Sequence, residues 1–303
     1  MSVNGLLLVD KETGITSQGV VSKARRSANQ KRIGHSGTLD PGATGLMLLA
    51  FGSATRLIDF TSGFTKSYVG EMVLGTTTTT LDDEGDVVET FDMSGVSPVR
   101  VAEAAAGFVG EILQVPPMVS AIKVQGKRLH ELARQGIEVE RKARPATIHS
   151  LEVLPTTSKG VFNVAATVST GTYIRSLVAD IGSALGGGAH LRNLRRTAIG
   201  PFHVDSAVRQ AALDISIDEW ILQLKTPAQM VAHLDSLSLD ASTAERISNG
   251  ARLTVGDFPE LAQLGAGPYA MVDESGELRA IYERRGNVLA SRVTLPTQVA
   301  SGG

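Results

Sequence analysis

A glycine-rich loop with a single carboxylate, residues 34–45, constrains this chain more than any other stretch. It reads Gly-His-Ser-Gly-Thr-Leu-Asp-Pro-Gly-Ala-Thr-Gly and places Asp40 directly before Pro41. A proline disfavours helical backbone at the residue before it, so we expect Asp40 to be extended at a turn. No other acid lies between Glu12 and Asp40, so basic neighbours would favour its charged form. From spacing alone, an ordinary Asp-Pro turn is as well supported as a functional carboxylate. A P-loop is excluded because no Gly-Lys-Ser/Thr follows.

A basic segment leads into this loop. Residues 17–28 carry apolar side chains at helical spacing, with Thr16 or Ser17 as the candidate N-cap. The segment and its exit contain five basic residues and no acid: Lys23, Arg25, Arg26, Lys31 and Arg32. A run of charge is usually a solvated face, but unbalanced positive charge beside the loop favours a phosphate-contacting surface.

The composition is that of a globular protein. With 303 residues and 42% apolar content, the chain can bury a core and is predicted to hold two domains. The absence of cysteine excludes disulfides and thiolate zinc sites, and the six histidines are scattered, so we predict no metal. No apolar run has membrane-spanning length, and the N-terminus enters a strand-like segment directly, so we expect a cytoplasmic protein.

The charge is distributed unevenly along the chain. Residues 1–210 contain 22 Lys+Arg and 19 Asp+Glu, a net +3, whereas residues 211–303 contain 7 and 12, a net −5; together they give the overall −2. Nucleic-acid affinity depends on local basic patches rather than on the total charge. The asymmetry therefore predicts a domain boundary near residue 210, with any nucleic-acid contact in the first part.

The clearest helix signal lies between Ile174 and Leu185, where apolar residues follow a helical period. Arg175 falls in the first turn of this helix, outside the apolar stripe. Because a cation is unfavourable near a helix N-terminus, we expect a specific anionic partner for Arg175, and Asp40 is the candidate. The pattern also predicts strands over 5–10, 46–51, 67–74, 147–154 and 162–169, short helices around 208–213 and 218–231, and a mixed α/β unit over 234–295.

The loop of residues 34–45 resembles the catalytic motif of the TruB family of tRNA pseudouridine synthases. Six further blocks of that family occur in the same order: Leu7–Lys11, Lys66–Tyr68, Val115–Lys123, Arg134–Gly136, Gly171–Arg175 and Gly188–Arg196. The resemblance covers about Gly5 to Phe202 and is weak beyond it.

The resemblance implies an α/β (α+β) pseudouridine-synthase fold, with a central mixed, mainly antiparallel sheet flanked by helices. It places a catalytic domain at residues 1–210, with a thumb insertion at about 114–145 that closes on RNA. From the residues themselves we expect a helical connection at 211–234 and a disordered tail at 297–303; between them, at 235–296, the family resemblance implies a small PUA-like domain. The acidic composition of the last part argues against RNA contact there.

The resemblance also assigns roles within the expected site. Asp40 would be the nucleophile, Arg175 its charge-assisted, bidentate partner, and Tyr68 the aromatic that stacks on the target base. Substrate-binding residues would be His35, Tyr68, Tyr173, Leu194, Lys11, Gly37 and Thr38. Contacts to the RNA backbone would come from Lys23, Arg26, Lys31, Arg32, Lys123, Lys127 and Arg128. One departure is Thr79, where the family commonly has an aspartate.

The implied reaction converts uridine 55 in the tRNA T-arm to pseudouridine by base flipping, with no cofactor, metal, membrane or protein partner, in a monomer. The sequence does not show whether Asp40 attacks C6 of the uracil, attacks C1′, or abstracts a proton in a glycal route. Alternatives are an RNA-guided synthase subunit, disfavoured by the missing lysine-rich extensions, and a non-catalytic tRNA-folding module. A glycosidase is remote, because two flanking acids are normally required and the loop offers only Asp40.

Overall fold

The computed structural model describes residues 3–296 except 121, 125, 134 and 138, and gives only the backbone at 123, 124, 127, 128 and 130. Its strands are β1 (Gly5–Lys11), β2 (Ile33–Ser36), β3 (Thr44–Phe51), β4 (Lys66–Leu74), β5 (Thr76–Thr78), β6 (Val87–Thr90), β7 (Gly110–Gln114), β8 (Lys123–Val124), β9 (Lys127–Arg128), β10 (Arg144–Pro155), β11 (Val161–Val168), β12 (Ala189–Ile199), β13 (Phe202–His203), β14 (Val208–Arg209), β15 (Asp235–Leu239), β16 (Leu253–Thr254), β17 (Tyr269–Asp273), β18 (Leu278–Arg285) and β19 (Val288–Thr294). The expected tail at 297–303 lies outside the described residues.

The helices lie mostly between these strands. They are α1 (Ser17–Ser27), α2 (Pro98–Ala106), α3 (Leu129–Ala133), α4 (Ile174–Ala184), α5 (Ala212–Ile215), α6 (Pro227–Met230) and α7 (Ala241–Ser248), and the longest 3₁₀ helix is Gly52–Thr61. The predicted helix α1 begins as expected, because the Thr16 hydroxyl accepts the Gly19 N–H at its N-terminus. No helix in the described part of the chain is long and apolar enough to cross a membrane.

One large sheet organises the first two thirds of the described chain. Its strand order is β14-β1-β3-β12-β4-β11-β10-β7, with β2 added to β3 and β13 to β12. Only β1–β14 and β3–β12 pair in parallel; the other pairs are antiparallel. The prediction of a mixed, mainly antiparallel sheet is confirmed. The parallel β3–β12 pair joins the strand that follows the glycine-rich loop to the centre of the sheet.

Both faces of the large sheet are buried at β1 and β3, because alternate residues of these strands point into two different cores. On β1, Leu7 and Val9 pack in the core that is covered by α1, α2 and α4. Their neighbours Leu6 and Leu8 pack in a second core with Leu57 of the 3₁₀ helix and with residues of the C-terminal part. The near-continuous apolar sequence of β1 and β3 follows from this double burial.

The C-terminal sheet, of order β15-β17-β18-β19-β16, has a core of its own and also shares one with the large sheet. Ile281 and Val293 point into the same apolar cluster as Leu6 and Leu48 of the large sheet. The Arg56 guanidinium donates to the Thr294 carbonyl across this boundary (2.6 Å). The two sheets therefore meet through packed side chains and not only through a linker.

Two expected helices are only partly present. Val208 and Arg209 form β14 beside β1 and α5 begins only at Ala212, while the 218–231 segment contains two 3₁₀ turns and the single-turn helix α6. The reason is tertiary pairing: the backbone of Lys225 exchanges hydrogen bonds of 2.9 and 2.8 Å with Leu6, which keeps the chain extended there. Pro227 then starts α6, since a proline is accepted in the first turn of a helix.

Candidate active site

Three anchors hold the loop that carries Asp40 between β2 and β3. The first is Lys11 at the end of β1, whose ammonium donates to the carbonyls of Pro41 (3.0 Å) and Ala43. Lys11 is 0% exposed and holds the loop from beneath, whereas its predicted role in binding substrate stays a prediction. Burial lowers the pKa of Lys11 to about 8.

The second anchor is the first residue of α1. The Ser17 hydroxyl donates to the Leu39 carbonyl (3.0 Å) and accepts the Leu39 N–H (2.8 Å). This reciprocal pair fixes the residue directly before Asp40. The α1 N-terminus therefore positions the carboxylate through the backbone.

The third anchor is Arg196 on β12, whose side chain is fully buried. Its Nε donates to the Leu46 carbonyl (2.8 Å), Nη2 to Gly37 (3.1 Å) and Nη1 to Thr38 (3.4 Å). Its backbone also approaches Gly45 so closely that a Cβ there would lie 2.2 Å from the Arg196 carbonyl oxygen. The glycine in this motif is thus required by the parallel contact between β3 and β12.

Asp40 meets Arg175 as predicted: Nη2 of Arg175, in the first turn of α4, lies 2.9 Å from Asp40 Oδ2. The expected bidentate fork is wrong, because the guanidinium is shared among several acceptors. Nη1 donates to the Thr80 carbonyl (2.7 Å) and Nη2 to the Val119 carbonyl (2.9 Å). Arg175 is 3% exposed while Asp40 is 37% exposed, so a buried cation orients a carboxylate that solvent can reach.

Asp82 is the second carboxylate at Arg175. Its Oδ2 lies 3.4 Å from Arg175 Nε, and Thr80 donates its hydroxyl to the other Asp82 oxygen. An isolated bridge between Asp82 and Leu191 on β12 keeps this turn against the sheet. Thr79, the residue that departs from the family pattern, is exposed and bonds to the backbone of Asp86 instead.

A cavity of about 260 Å³ opens beside Asp40. Lys66 and Tyr68, two residues apart on β4, both face it, and β12 contributes Leu194. Leu194 lies where the pairing of β12 with β4 is interrupted by a bulge and Asn193 has φ 55°, which turns this part of β12 away from regular strand geometry. The remaining wall residues are Gly37, Thr38, Leu39, Asp40, Ser120, Thr170, Gly171, Thr172, Tyr173, Ile174, Arg175 and Arg196.

Tyr173 and His35 occupy different places relative to this cavity. Tyr173 lines it and is held by Gln114, which accepts the Tyr173 N–H (2.8 Å) and donates to its carbonyl (3.1 Å). Burial raises the pKa of the Tyr173 phenol, keeping it protonated. His35 lies on β2 outside the cavity wall, and burial beside Arg196 lowers its pKa and favours the neutral imidazole.

Comparison with known proteins agrees with this architecture. The family model for the N-terminal domain of TruB family pseudouridylate synthases matches residues 25–174, and that for the C-terminal domain of tRNA pseudouridylate synthase B matches 175–232. A tRNA pseudouridine synthase B of Dehalococcoides mccartyi is 40% identical over 91% of this chain and 90% of its own. One of Burkholderia mallei is 43% identical over 92% and 89%. The chain belongs to the TruB family.

Solved structures show the same fold. A chain from the crystal structure of a Cbf5–Nop10–Gar1 complex superposes with a TM-score of 0.73 at 25% identity, covering 96% of this chain and 85% of that one. A chain from an archaeal box H/ACA sRNP Nop10–Cbf5 complex gives 0.71 at 24% identity, covering 97% and 87%. The family resemblance and the pseudouridine-synthase fold predicted from the motif blocks are therefore confirmed.

The basic residues predicted to contact RNA differ in their surroundings. On α1 of this TruB-family chain, Arg26 is exposed, but Lys23 forms an ion pair with Asp214. Lys31 is exposed, and Arg32 donates to the Thr55 hydroxyl (3.0 Å). The side chains of Lys123, Lys127 and Arg128 lie outside what the structure describes, although their backbone forms the β8–β9 hairpin.

Sequence reasoning missed three site residues. Lys66 was noted only as part of a motif block and Arg196 as the end of another, yet both are buried at the cavity. Asp82 was not among the predicted site residues. A signal existed for Lys66, because a lysine two residues from a buried tyrosine on a strand faces the same side of the sheet. No comparable local signal existed for Asp82, whose partner lies 93 positions away along the chain.

Proposed function

We propose that this protein converts uridine 55 in the T-arm of tRNA to pseudouridine. The observation that carries the proposal is the single accessible carboxylate of Asp40, oriented by a buried arginine at the mouth of a cavity with Tyr68 in its wall. Relatives that share about 40% identity over nine tenths of both chains are named tRNA pseudouridine synthase B, which supports tRNA as the substrate.

The chemistry needs no redox step. The C1′–N1 bond of the uridine breaks, the uracil rotates, and a C1′–C5 bond forms in its place. Asp40 acts as the nucleophile that divides this exchange into two easier steps. Arg175 keeps the carboxylate directed at the cavity, while Tyr68 stacks on the base and Tyr173 and Leu194 enclose it.

The target base must leave its stack to reach Asp40. Extrusion costs a few kcal/mol, and stacking on an aromatic side chain returns roughly 1–3 kcal/mol per base. Contacts of α1 and of the 114–145 thumb with the phosphates supply further binding energy. His35, Gly37 and Thr38 lie at the loop edge, where His35 helps to hold the flipped bases.

The domain organisation is part of the proposal. Residues 1–210 form the catalytic domain, 211–234 the connection and 235–296 a PUA-like domain. The shared core between the two sheets supports a fixed attachment of that last domain. We further infer a monomer that works without a protein partner, in the cytoplasm, where tRNA is modified.

Incubating the pure chain with an unmodified tRNA transcript and mapping pseudouridine tests this function. Modification at position 55 without an added guide RNA is the expected result. Modification that requires a guide RNA would favour the RNA-guided alternative. Tight tRNA binding without any pseudouridine would favour a folding module.

A further inference from the structure

Two cations are buried against the cavity without a carboxylate to neutralise them. Lys66 is 8% exposed and Arg196 is 0% exposed, and both line the cavity wall. Neither forms an ion pair with any side chain in the part of the chain that the structure describes. Burying an unpaired charge is costly, so such a pair indicates that something anionic occupies the cavity during function.

The two cations differ in how many of their hydrogen-bond donors already have an acceptor. All three kinds of nitrogen in the Arg196 guanidinium already donate to carbonyls of the β2–β3 loop and of β3. The Lys66 ammonium has three donors, and within the described residues it makes one hydrogen bond, to the Thr170 hydroxyl (2.9 Å). Lys66 is therefore the cation with free donors at the cavity.

The position of Lys66 is set by the sheet. It is the first residue of β4 and shares a face with Tyr68, the residue proposed to stack on the base. A Cβ atom placed at Gly37 would lie 3.4 Å from Lys66 Cε and 3.5 Å from Arg196 Nη1, so both cations lie directly beneath the loop of Asp40. A base held between Asp40 and Tyr68 has Lys66 within the same small cavity.

Pseudouridine formation places negative charge on that base. The C1′–N1 bond breaks with its electron pair left on the uracil, where the charge is spread over N1, O2 and O4. After rotation, C5 supplies the pair for the new C1′–C5 bond, the C5 proton is lost to a base and N1 becomes protonated. Attack of the carboxylate at C6 would likewise move charge onto O4, so every route passes through an electron-rich uracil.

We propose that the Lys66 ammonium stabilises this charge by donating a hydrogen bond to a carbonyl oxygen of the uracil. The inference rests on the proposed function and names a cavity residue that contacts the reacting base. A preorganised donor contributes most where charge develops in the transition state. Arg196 holds the loop and adds positive potential without touching the base.

The protonation state of Lys66 gives this role a pH signature. Burial and the nearby Arg196 lower the pKa of Lys66 to about 8, so the ammonium is lost as the pH rises through that value. The other titratable and charged groups at the cavity are Asp40, Tyr68, Tyr173, Arg175 and Arg196. The pKa of Lys11 is also about 8, so Lys11 titrates in the same range. Every variant retains Lys11, so that a difference between pH profiles comes from Lys66.

The test compares Lys66→Gln and Lys66→Arg with the wild type in single-turnover assays on unmodified tRNA. For Lys66→Gln we expect a rate lowered about 10²–10³-fold, with tRNA affinity and its salt dependence unchanged. Lys66→Arg keeps the charge, so it should stay within about ten-fold of the wild type and lose less activity above pH 8. Lys159→Gln, on the exposed turn at the far end of β11, is the matched control and should behave as the wild type.

Several results would overturn the role of Lys66. One is a Lys66→Gln rate within about three-fold of the wild type. Another is weaker binding with a flatter salt dependence and an unchanged rate, which would place a phosphate and not the base at Lys66. If Lys66→Gln does not fold, the pH dependence of the Lys66→Arg rate decides instead: a profile identical to that of the wild type would also overturn the role of Lys66. A wild-type chain that makes no pseudouridine would instead refute the proposed function itself.

Discussion

Asp40 combines an orientation fixed by Arg175 with access to solvent. Asp40→Asn keeps the shape of the side chain and removes its charge and nucleophilicity. We expect turnover to fall by at least about 10⁴-fold while tRNA affinity changes little. Pseudouridine mapping together with a binding assay checks this, and substantial product from the pure variant would contradict the assignment of Asp40.

Arg175 is held by backbone carbonyls as well as by two carboxylates, so its planar fork matters beyond its charge. Arg175→Lys cannot reach Asp40, Asp82 and the carbonyls at once, and we expect the turnover rate to fall about 10²-fold with the fold retained. Arg246→Lys, which changes an exposed pair with Asp257, is the control. Equal rates for the two variants would mean that the Arg175–Asp40 contact has no catalytic role.

Lys11 and Lys66 also make stability depend on pH. Both have a pKa of about 8 in the folded chain, whereas the ordinary pKa of a lysine is 10.5. Folding therefore releases protons when the pH lies between these two pKa values. The free energy of unfolding should therefore rise as the pH increases from about 8 to 10, while activity falls. Melting temperatures between pH 7.5 and 9.5 test this. Lys66→Gln should show a smaller rise, and an unchanged slope would argue against the lowered pKa of Lys66.

At the scale of single elements, α1 offers a test of the RNA surface. Arg26 is exposed, whereas Lys23 on the same helix is already paired with Asp214. Arg26→Ala should weaken tRNA binding and lower the log–log salt slope by about 0.7–0.9, and Lys23→Ala should do so less. Arg285→Ala, 70% exposed in the acidic C-terminal part, should leave the slope unchanged. A larger effect at Arg285 than at Arg26 would place the RNA on another surface.

The pairing of β3 with β12 depends on Gly45. Its φ is 104°, and a Cβ at this position would lie 2.2 Å from the Arg196 carbonyl oxygen, so there is no room for a side chain. Gly45→Ala should separate the strands, lower the melting temperature by several degrees and abolish turnover. Gly63→Ala, where a Cβ would meet nothing within 4 Å, is the matched control. A Gly45→Ala variant as stable as the control would show that the loop can move away from Arg196.

For the whole molecule, the shared core predicts that the two sheets unfold together. Ile281 belongs to the C-terminal sheet yet packs with Leu6 and Leu48. The single tryptophan, Trp220, is buried on Phe51 of the large sheet, with ring centroids 5.2 Å apart, and its fluorescence reports on that part. Ile281→Ala should cost about 2–5 kcal/mol and shift the fluorescence midpoint in denaturant. A shifted circular-dichroism transition with an unshifted Trp220 signal would show independent units.

Local sequence determined much of the fold. The helical period of residues 174–185, the cap at Thr16 and the apolar strands β1 and β3 all act over a few residues, and the structure has them where they were predicted. The motif blocks determined the family because their order along the chain is itself a sequence property. The contact of Arg175 with Asp40 could also be predicted from the sequence, because a cation near a helix N-terminus is unfavourable without an anionic partner.

Only the tertiary structure decided how the site is supported. Lys11 became a buried anchor and Lys66 a cavity cation because distant strands enclose them, and burial depends on what packs above a residue. The expected helices at 208–213 and 218–231 are shortened where Val208, Arg209 and Lys225 pair with β1, since a hydrogen-bonded partner outweighs weak local propensity. The shared core of the two sheets is likewise a long-range contact, and no local pattern encodes which surfaces will meet.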